Sequence, residues 1–445
     1  MLAFAQGQVV GAGSFGPTSA AMCRRRRGLI CPGNYSVNPS RLASRRYWLV
    51  YDRSWVAATF TSSRIETRPN WAEVSLPALR HNFRVLQKHV GPDVAICAVV
   101  KCDAYGHGAP GCALALEQGG AKWFGVTSTD EGVILREAGI TGRVLVMCGV
   151  YRGEEEDALR LSLTPAVFRL QDAEALAQAA VRQRLTSPVA IHLKIDTGMA
   201  RLGLPLADLE SFAEGIQRLP QIELEGVFSH LASSEVLDDE ATQRQIERFT
   251  AALRTLAAYG LHPRLRHLAN TSAAIERPDT WHNFVRPGLA LYGYEQQPCY
   301  GDGSPATALP LPLQPVLAWK THVIAVRDVP AGQALGYNGA YKTLAPARIA
   351  TVSVGYGDGL SRRLFGNGEV LLRGQRAPMR GRISMDLTLV DVTHIAGAAI
   401  GDEVTLIGRS GAQEITACDL ARWEGTVVYE TLCNLTKRVP RRYVE

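Results

Sequence analysis

The chain has 445 residues, 46% of them hydrophobic and 20% charged, so it holds ample apolar material for a large core and is not a disordered polymer. The formal charge of +6 is unevenly spread: residues 1–66 carry nine Arg against Asp52 and Glu66, and the remainder carries 39 basic and 40 acidic residues. The basic excess thus belongs to an N-terminal extension and gives no reason to expect nucleic acid as a partner. No run of about 18 uninterrupted apolar residues occurs, which excludes an ordinary spanning helix.

Nine Cys are scattered through the chain without a C-x-x-C pair or a Cys/His cluster at zinc spacing, so no metal site is expected. That usage suits reduced thiols and a cytoplasmic protein. Residues 1–66 combine a Gly-rich stretch with CRRRR, and their positive charge follows a weak apolar segment rather than preceding it. A disordered extension or an over-long assigned start is favoured over a transit peptide.

Ordered structure is expected from about Trp71. Ser75 and Pro77 form a helix start, and Leu79, Phe83, Leu86 and Val90 then share one face. Eight short apolar runs follow: Val94–Lys101, Trp123–Ser128, Arg143–Gly149, Leu163–Phe168, Val189–Asp196, Leu224–His230, Leu265–Asn270 and Asn283–Arg286. Helical stretches such as Asp172–Arg184 and Asp239–Tyr259 separate them. The pattern predicts an α/β fold, a (β/α)8 TIM-type barrel over residues 67–305. An open doubly wound sheet is the rival, disfavoured because no G-x-G-x-x-G follows the first strand.

After the linker GDGSPATALPLPLQP the texture changes to alternating runs punctuated by Gly and Asp: Trp319–Val326, Arg348–Val354, Glu369–Arg373, Leu387–Val392 and Glu403–Ile407. A C-terminal β-rich domain over 306–445 is expected.

Polar residues collect where the barrel runs end, and the C-terminal ends of barrel strands are where such folds do chemistry. Lys101 closes AVVK, in place of the usual Val, Ile or Leu, and suits a Schiff-base lysine. Lys194 and Arg201, His230, His267 with Asn270 and Thr271, and Arg286 reach the same rim. Any one histidine alone would more often be a satisfied core residue; five consecutive strand ends are harder to dismiss. The last two loops carry Asn270-Thr271-Ser272 and Pro287-Gly288-Leu289, which offer hydroxyls and close-approach N–H groups of the kind that cradle phosphate. A lysine facing a phosphate cradle across a barrel mouth fits pyridoxal 5'-phosphate (PLP).

Taken in order, AVVKCDAYGHG, KIDTGMARLG, HLANTSAA, VRPGLALYG, LGYNGAY, VGYGDG and GRISMD resemble the motifs of the alanine racemases over about residues 67–445. The resemblance implies a fold-type III PLP enzyme working as a head-to-tail homodimer, interconverting L- and D-alanine and supplying D-alanine for peptidoglycan. By motif, Lys101 is one catalytic base and Tyr337, from the partner subunit, the other. Arg286 faces the pyridine nitrogen with His267 behind it, Arg201 meets the cofactor's phenolic oxygen and the substrate, and His230 supports the tyrosine. Tyr105, Thr271, Gly288, Leu289 and Tyr356 are implied as phosphate ligands with Asn270 beside them, and whether Thr271 or Ser272 is the hydroxyl ligand is open. Met385 offers its N–H to the substrate carboxylate, supported by Asp386, and Lys194 matches a lysine carbamylated in some relatives. Two alternatives share these motifs: a racemase of broader substrate range, and a PLP carrier without turnover. Tyr337 and Met385 argue against the carrier, which needs neither a second base nor a carboxylate site.

Overall fold

The computed structural model describes residues 68–309 and 311–445, and the expectations for residues 1–66 lie outside the described residues. Each of the eight expected barrel strands is present. They run Ala95–Val99, Trp123–Val126, Arg143–Val146, Leu163–Val167, Val189–Asp196, Ile222–Phe228, Leu265–His267 and Phe284–Val285; the first seven pair in parallel in sequence, and the eighth pairs in parallel with the first. The seam between the seventh and eighth strands lacks a regular ladder. There the Asn283 side chain accepts from Arg266 N–H at 2.9 Å and donates to Arg264 O at 2.7 Å, while Arg286 N–H reaches Ala269 O at 3.1 Å. A side-chain amide has the same donor and acceptor as a peptide group, so Asn283 completes the barrel where the eighth strand is too short.

The helices follow the sequence signals. Leu76–Val90 is capped by Ser75, whose hydroxyl accepts from Ala78 N–H at 3.3 Å, and it buries Leu79, Phe83, Leu86 and Val90 against the barrel. Leu170–Arg182 and Glu240–Ala258 cover two further crossovers, the latter capped by Asp239.

The C-terminal domain is a β-barrel closed on itself: Leu317–Val329 pairs with Ala347–Val352 along one edge and with Glu403–Ser410 along the other. Its circuit is completed by Glu369–Leu372, Gln375–Arg380 and Thr388–Asp391. Gln375–Arg380 is a strand that the sequence does not announce, because QRAPMR carries a central proline. The strand Asn70–Ser75, just before the first helix, belongs to this second sheet and not to the (β/α)8 barrel. It lies antiparallel to Leu317–Val329 and parallel to Arg441–Val444, so both ends of the described chain meet on one element. No helix among the described residues is long and apolar enough to cross a membrane.

Candidate active site

Immediately after the first barrel strand the backbone inverts its handedness. Cys102, Asp103, Ala104 and Tyr105 all have φ of 53–54°. A left-handed turn costs L-residues roughly 1–2 kcal/mol each, so the surroundings must hold it. Glu131 does so from the helix Thr129–Glu137, which follows the second barrel strand, accepting from Cys102 N–H at 2.6 Å and Thr127 N–H at 2.7 Å. Asp103 accepts from Ala109 N–H at 2.8 Å, and Arg441 of the last strand donates to Gly106 O at 2.8 Å. The turn projects Lys101 from the strand end and buries Tyr105 beneath it.

Tyr105 packs at 5.0 Å against the Tyr292 ring and 6.0 Å from the Tyr429 ring. A β-carbon at position 288 would overlap the Tyr105 hydroxyl, so only glycine lets the chain pass there. The Gly288 N–H donates to Thr271 Oγ1 at 2.8 Å, which brings Tyr105, Thr271 and Gly288 together as one polar cradle, with Leu289 buried behind them. Asn270 caps the short helix Thr271–Glu276, accepting from Ala273 N–H at 3.2 Å and from the Ser234 hydroxyl at 2.8 Å. Ser272 turns away, its hydroxyl 3.5 Å from Gln296 Oε1, which the Tyr429 hydroxyl also approaches at 3.5 Å. Geometry therefore favours Thr271 over Ser272 as the cradle hydroxyl.

Arg286 lies across the mouth, 4% exposed. It donates to His267 Nδ1 at 2.9 Å, His267 O at 3.0 Å, Ser229 O at 2.7 Å and Leu268 O at 3.1 Å, and stands 3.4 Å from His230 Nδ1. Burial lowers its pKa to about 10, which still leaves it charged near neutrality. A guanidinium offers only donors, so the two histidines must present unprotonated Nδ1 atoms to it. Burial, reinforced by the charge of Arg286, holds both His230 and His267 neutral, well below the usual imidazole range. His230 then carries its proton on Nε2.

Lys194 sits on the fifth strand with its amine 3.4 Å from Met147 O. Burial takes it down to about 8, helped by Arg286, Arg201 and Lys101 and opposed by the Cys148 thiol. Lys101, Lys194, Arg201 and Arg286 all bear on His230 as well, so the mouth is a cluster of cations with no carboxylate among the groups shifting it.

The residues expected from the C-terminal domain stand apart. Tyr337 is 66% exposed and Met385 52% exposed. Tyr356 is on the same domain, its N–H donating to Ser384 O at 3.0 Å and its ring facing Arg362 at 5.8 Å. Nothing among the described residues joins it to the cradle; Tyr429, which the motif reading passed over, is the tyrosine packed there. Met385 rides on a braced loop. Asp386 is paired with Arg438 at 2.5 Å, Arg68 donates to Asp386 O at 2.9 Å while bonding Asp358, and Gly357 N–H holds Met385 O at 2.9 Å.

Family models match both halves of this architecture: the alanine racemase N-terminal domain over residues 74–296 and the alanine racemase C-terminal domain over 316–443. The chain belongs to the alanine racemase family. It is 42% identical over 378 residues to the alanine racemase of Symbiobacterium thermophilum, covering 84% of this chain and 97% of that one. The alanine racemase of Syntrophobacter fumaroxidans is 40% identical over 368 residues, 82% of this chain and 95% of that protein. Among solved structures, the alanine racemase of Streptomyces lavendulae superimposes with a TM-score of 0.78 at 33% identity, covering 85% of this chain and 97% of that one. The Bacillus anthracis enzyme, with bound L-Ala-P, does so with a TM-score of 0.77 at 32% identity, covering 85% of this chain and 95% of that one. The barrel, the β-domain and the racemase class expected from the motifs are thereby established.

Proposed function

We propose that this racemase interconverts L- and D-alanine with PLP held across the barrel mouth, in a homodimer whose two sites are shared between subunits. The observation that carries the reading is the placement of Lys101 on the rim that also bears the Tyr105–Thr271–Gly288 cradle. The fit is chemical: the Gly288 N–H and the Thr271 and Tyr105 hydroxyls converge where a glycine lets the chain pass the Tyr105 hydroxyl, and a lysine amine stands at the same rim. Tyr105, Thr271, Gly288 and Leu289 would hold the phosphate, with Tyr429 closer to that task than Tyr356. Arg286 would face the ring nitrogen and Arg201 the phenolic oxygen and the substrate. When bound, PLP supplies the electron sink that makes the alanine Cα–H acidic.

Inverting a stereocentre needs one proton-transfer group on each face. Lys101 serves one face. Tyr337 of the second subunit serves the other, which accounts for its exposure in a single chain. A tyrosine of pKa about 10 needs roughly 4 kcal/mol of phenolate stabilisation to work near pH 7. The Nε2–H of neutral His230 supplies one donor, worth about 1 kcal/mol, and the cationic mouth must supply the remainder. Because Arg286 keeps its proton, it would leave the ring nitrogen of bound PLP unprotonated, and the weaker sink would favour prompt return of the proton over side reactions. Met385 N–H, on its braced loop, would receive the substrate carboxylate. The described cysteines are free thiols, which suits a cytoplasmic site of action and a role in supplying D-alanine to peptidoglycan.

The test is deuterium wash-in at Cα of L-alanine in D2O, with D-alanine followed by chiral chromatography and serine, lysine and arginine run alongside. Exchange and inversion of alanine support the reading. PLP binding with no Cα exchange on any of the four overturns it.

A further inference from the structure

A line of buried polar side chains leads from Arg286 down the axis of the barrel to its far end. His267 Nε2 lies 2.9 Å from His192 Nδ1, and His192 Nε2 faces Glu225 Oε2 at 3.5 Å. Glu225 is itself buried and bonded to Arg143 at 2.6 Å and to Arg264, whose side chain is largely exposed. The line is sheathed in aromatic rings: Phe228 stacks on His267 at 4.7 Å, Phe284 lies 4.7 Å from His267, and Trp123 lies 5.5 Å from His192 and beneath Arg143 at 4.5 Å. Room for His192 is made by Gly226, where any β-carbon would overlap the imidazole ring. A barrel interior is ordinarily packed with branched aliphatic side chains, so this polar column needs a reason.

Its direction is dictated at both ends. Arg286 only donates, so His267 must accept at Nδ1 and carry its proton on Nε2. That proton points at His192 Nδ1, which must accept, leaving the His192 proton on Nε2. Glu225 only accepts, and its Oε2, 3.5 Å away, is the carboxylate oxygen nearest that last N–H, which has no closer hydrogen-bond partner among the described residues. We propose that His192 and Glu225 are positioning residues, which fix the tautomer of His267 and thereby hold Arg286 in its plane at the barrel mouth. The arrangement tolerates no extra proton: a second N–H on His267 would oppose Arg286, and a second N–H on His192 would oppose the Nε2–H of His267. The groups facing the column are Arg286 and Cys97 at its upper end, His282 beside His267, and Arg143 and Arg264 around Glu225.

The proposal rests on the PLP reading for its consequence, but the tautomers can be measured without cofactor. The chain with ring-15N histidine is compared with and without PLP, and His192→Gln and His267→Gln variants assign the two signals. Both residues are expected to show a protonated Nε2 and an unprotonated Nδ1, unchanged from about pH 5 to 9. In Glu225→Gln, Arg143 and Arg264 claim the single amide oxygen and the NH2 faces His192, which must then accept at Nε2. That reverses the column and drives His267 Nδ1–H against Arg286. The expected result is a changed or mixed tautomer at both histidines and, in the loaded enzyme, a kcat lower by about tenfold with KM nearly unchanged. A protonated Nδ1 on either wild-type histidine, or titration within that range, overturns the proposal without any variant. Unchanged tautomers in Glu225→Gln overturn it as well. Failure of wild type to exchange the alanine Cα proton would overturn the racemase reading and leave the tautomer result standing by itself.

Discussion

Gly288 donates its N–H to Thr271 Oγ1 at 2.8 Å while lying so close to Tyr105 that a single methyl group would overlap the phenol oxygen. The cradle is thus closed from three directions by one missing side chain. Gly288→Ala must displace Tyr105 or the loop, an overpacking cost of about 1–3 kcal/mol. The expected outcome is PLP affinity weakened by roughly 5- to 150-fold, read by fluorescence titration of the apo-chain. Affinity within twofold of wild type would show that the phosphate is held elsewhere.

If Tyr337 acts on the neighbouring subunit, two dead variants can rescue each other. Lys101→Ala and Tyr337→Phe should each lose nearly all racemisation. Unfolded together and refolded at equal concentration, they should regain about a quarter of wild-type activity, since half the dimers are mixed and each has one intact site. No regain in a mixture shown to contain heterodimers would place the tyrosine in its own subunit's site or outside the reaction.

Lys194 at about 8 is half neutral near that pH, where an ordinary lysine is almost wholly charged. A neutral amine in a cationic mouth is set up to take CO2 and become an anion beside Arg201. With 13C-bicarbonate at about pH 8 a carbamate resonance is expected from wild type and not from Lys194→Ala. A resonance that survives the substitution belongs to another lysine.

His107, held to about 4, and His192, His230 and His267 are all kept neutral chiefly by burial. Their unfolded value of 6.5 lies above their folded ones, so below about pH 6.5 the unfolded chain binds protons that the folded chain refuses. Stability is therefore full above that pH and falls as it drops, by up to about 1.4 kcal/mol per pH unit for each histidine. Burial alone would raise Glu225, but its contacts with His192 and Arg143 hold it to about 2, so it adds a further loss below 4.5. Urea unfolding at several pH values checks this; an unchanged midpoint between about pH 7 and 5 would contradict it.

The barrel was legible because each parallel strand is a short apolar run with a helical crossover behind it; even Phe284–Val285, two residues long, stood out between Asn283 and Arg286. The β-domain was less so. Asn70–Ser75 places Ala72 and Val74 on one buried face but sits far from its pairing partners in the chain, and nothing local says which sheet it joins. Rim residues announced themselves as polar groups ending apolar runs. Tyr429 did not, because within the helix Val428–Cys433 it reads as an ordinary packed aromatic. His192 and Glu225 left a fainter trace: polar residues inside buried strands, the glutamate followed by a glycine whose purpose becomes clear only when the two strands lie side by side.

The turn from Cys102 to Tyr105 has one last consequence. Its dihedral angles are those that a residue of inverted chirality would choose, held here by L-residues against their preference. In backbone terms, a synthetic chain carrying D-alanine at position 104 would find that turn easier by about 1–2 kcal/mol than the natural chain does. The proposed product of the reaction is the residue best suited to the bend that follows Lys101, the proposed catalytic lysine.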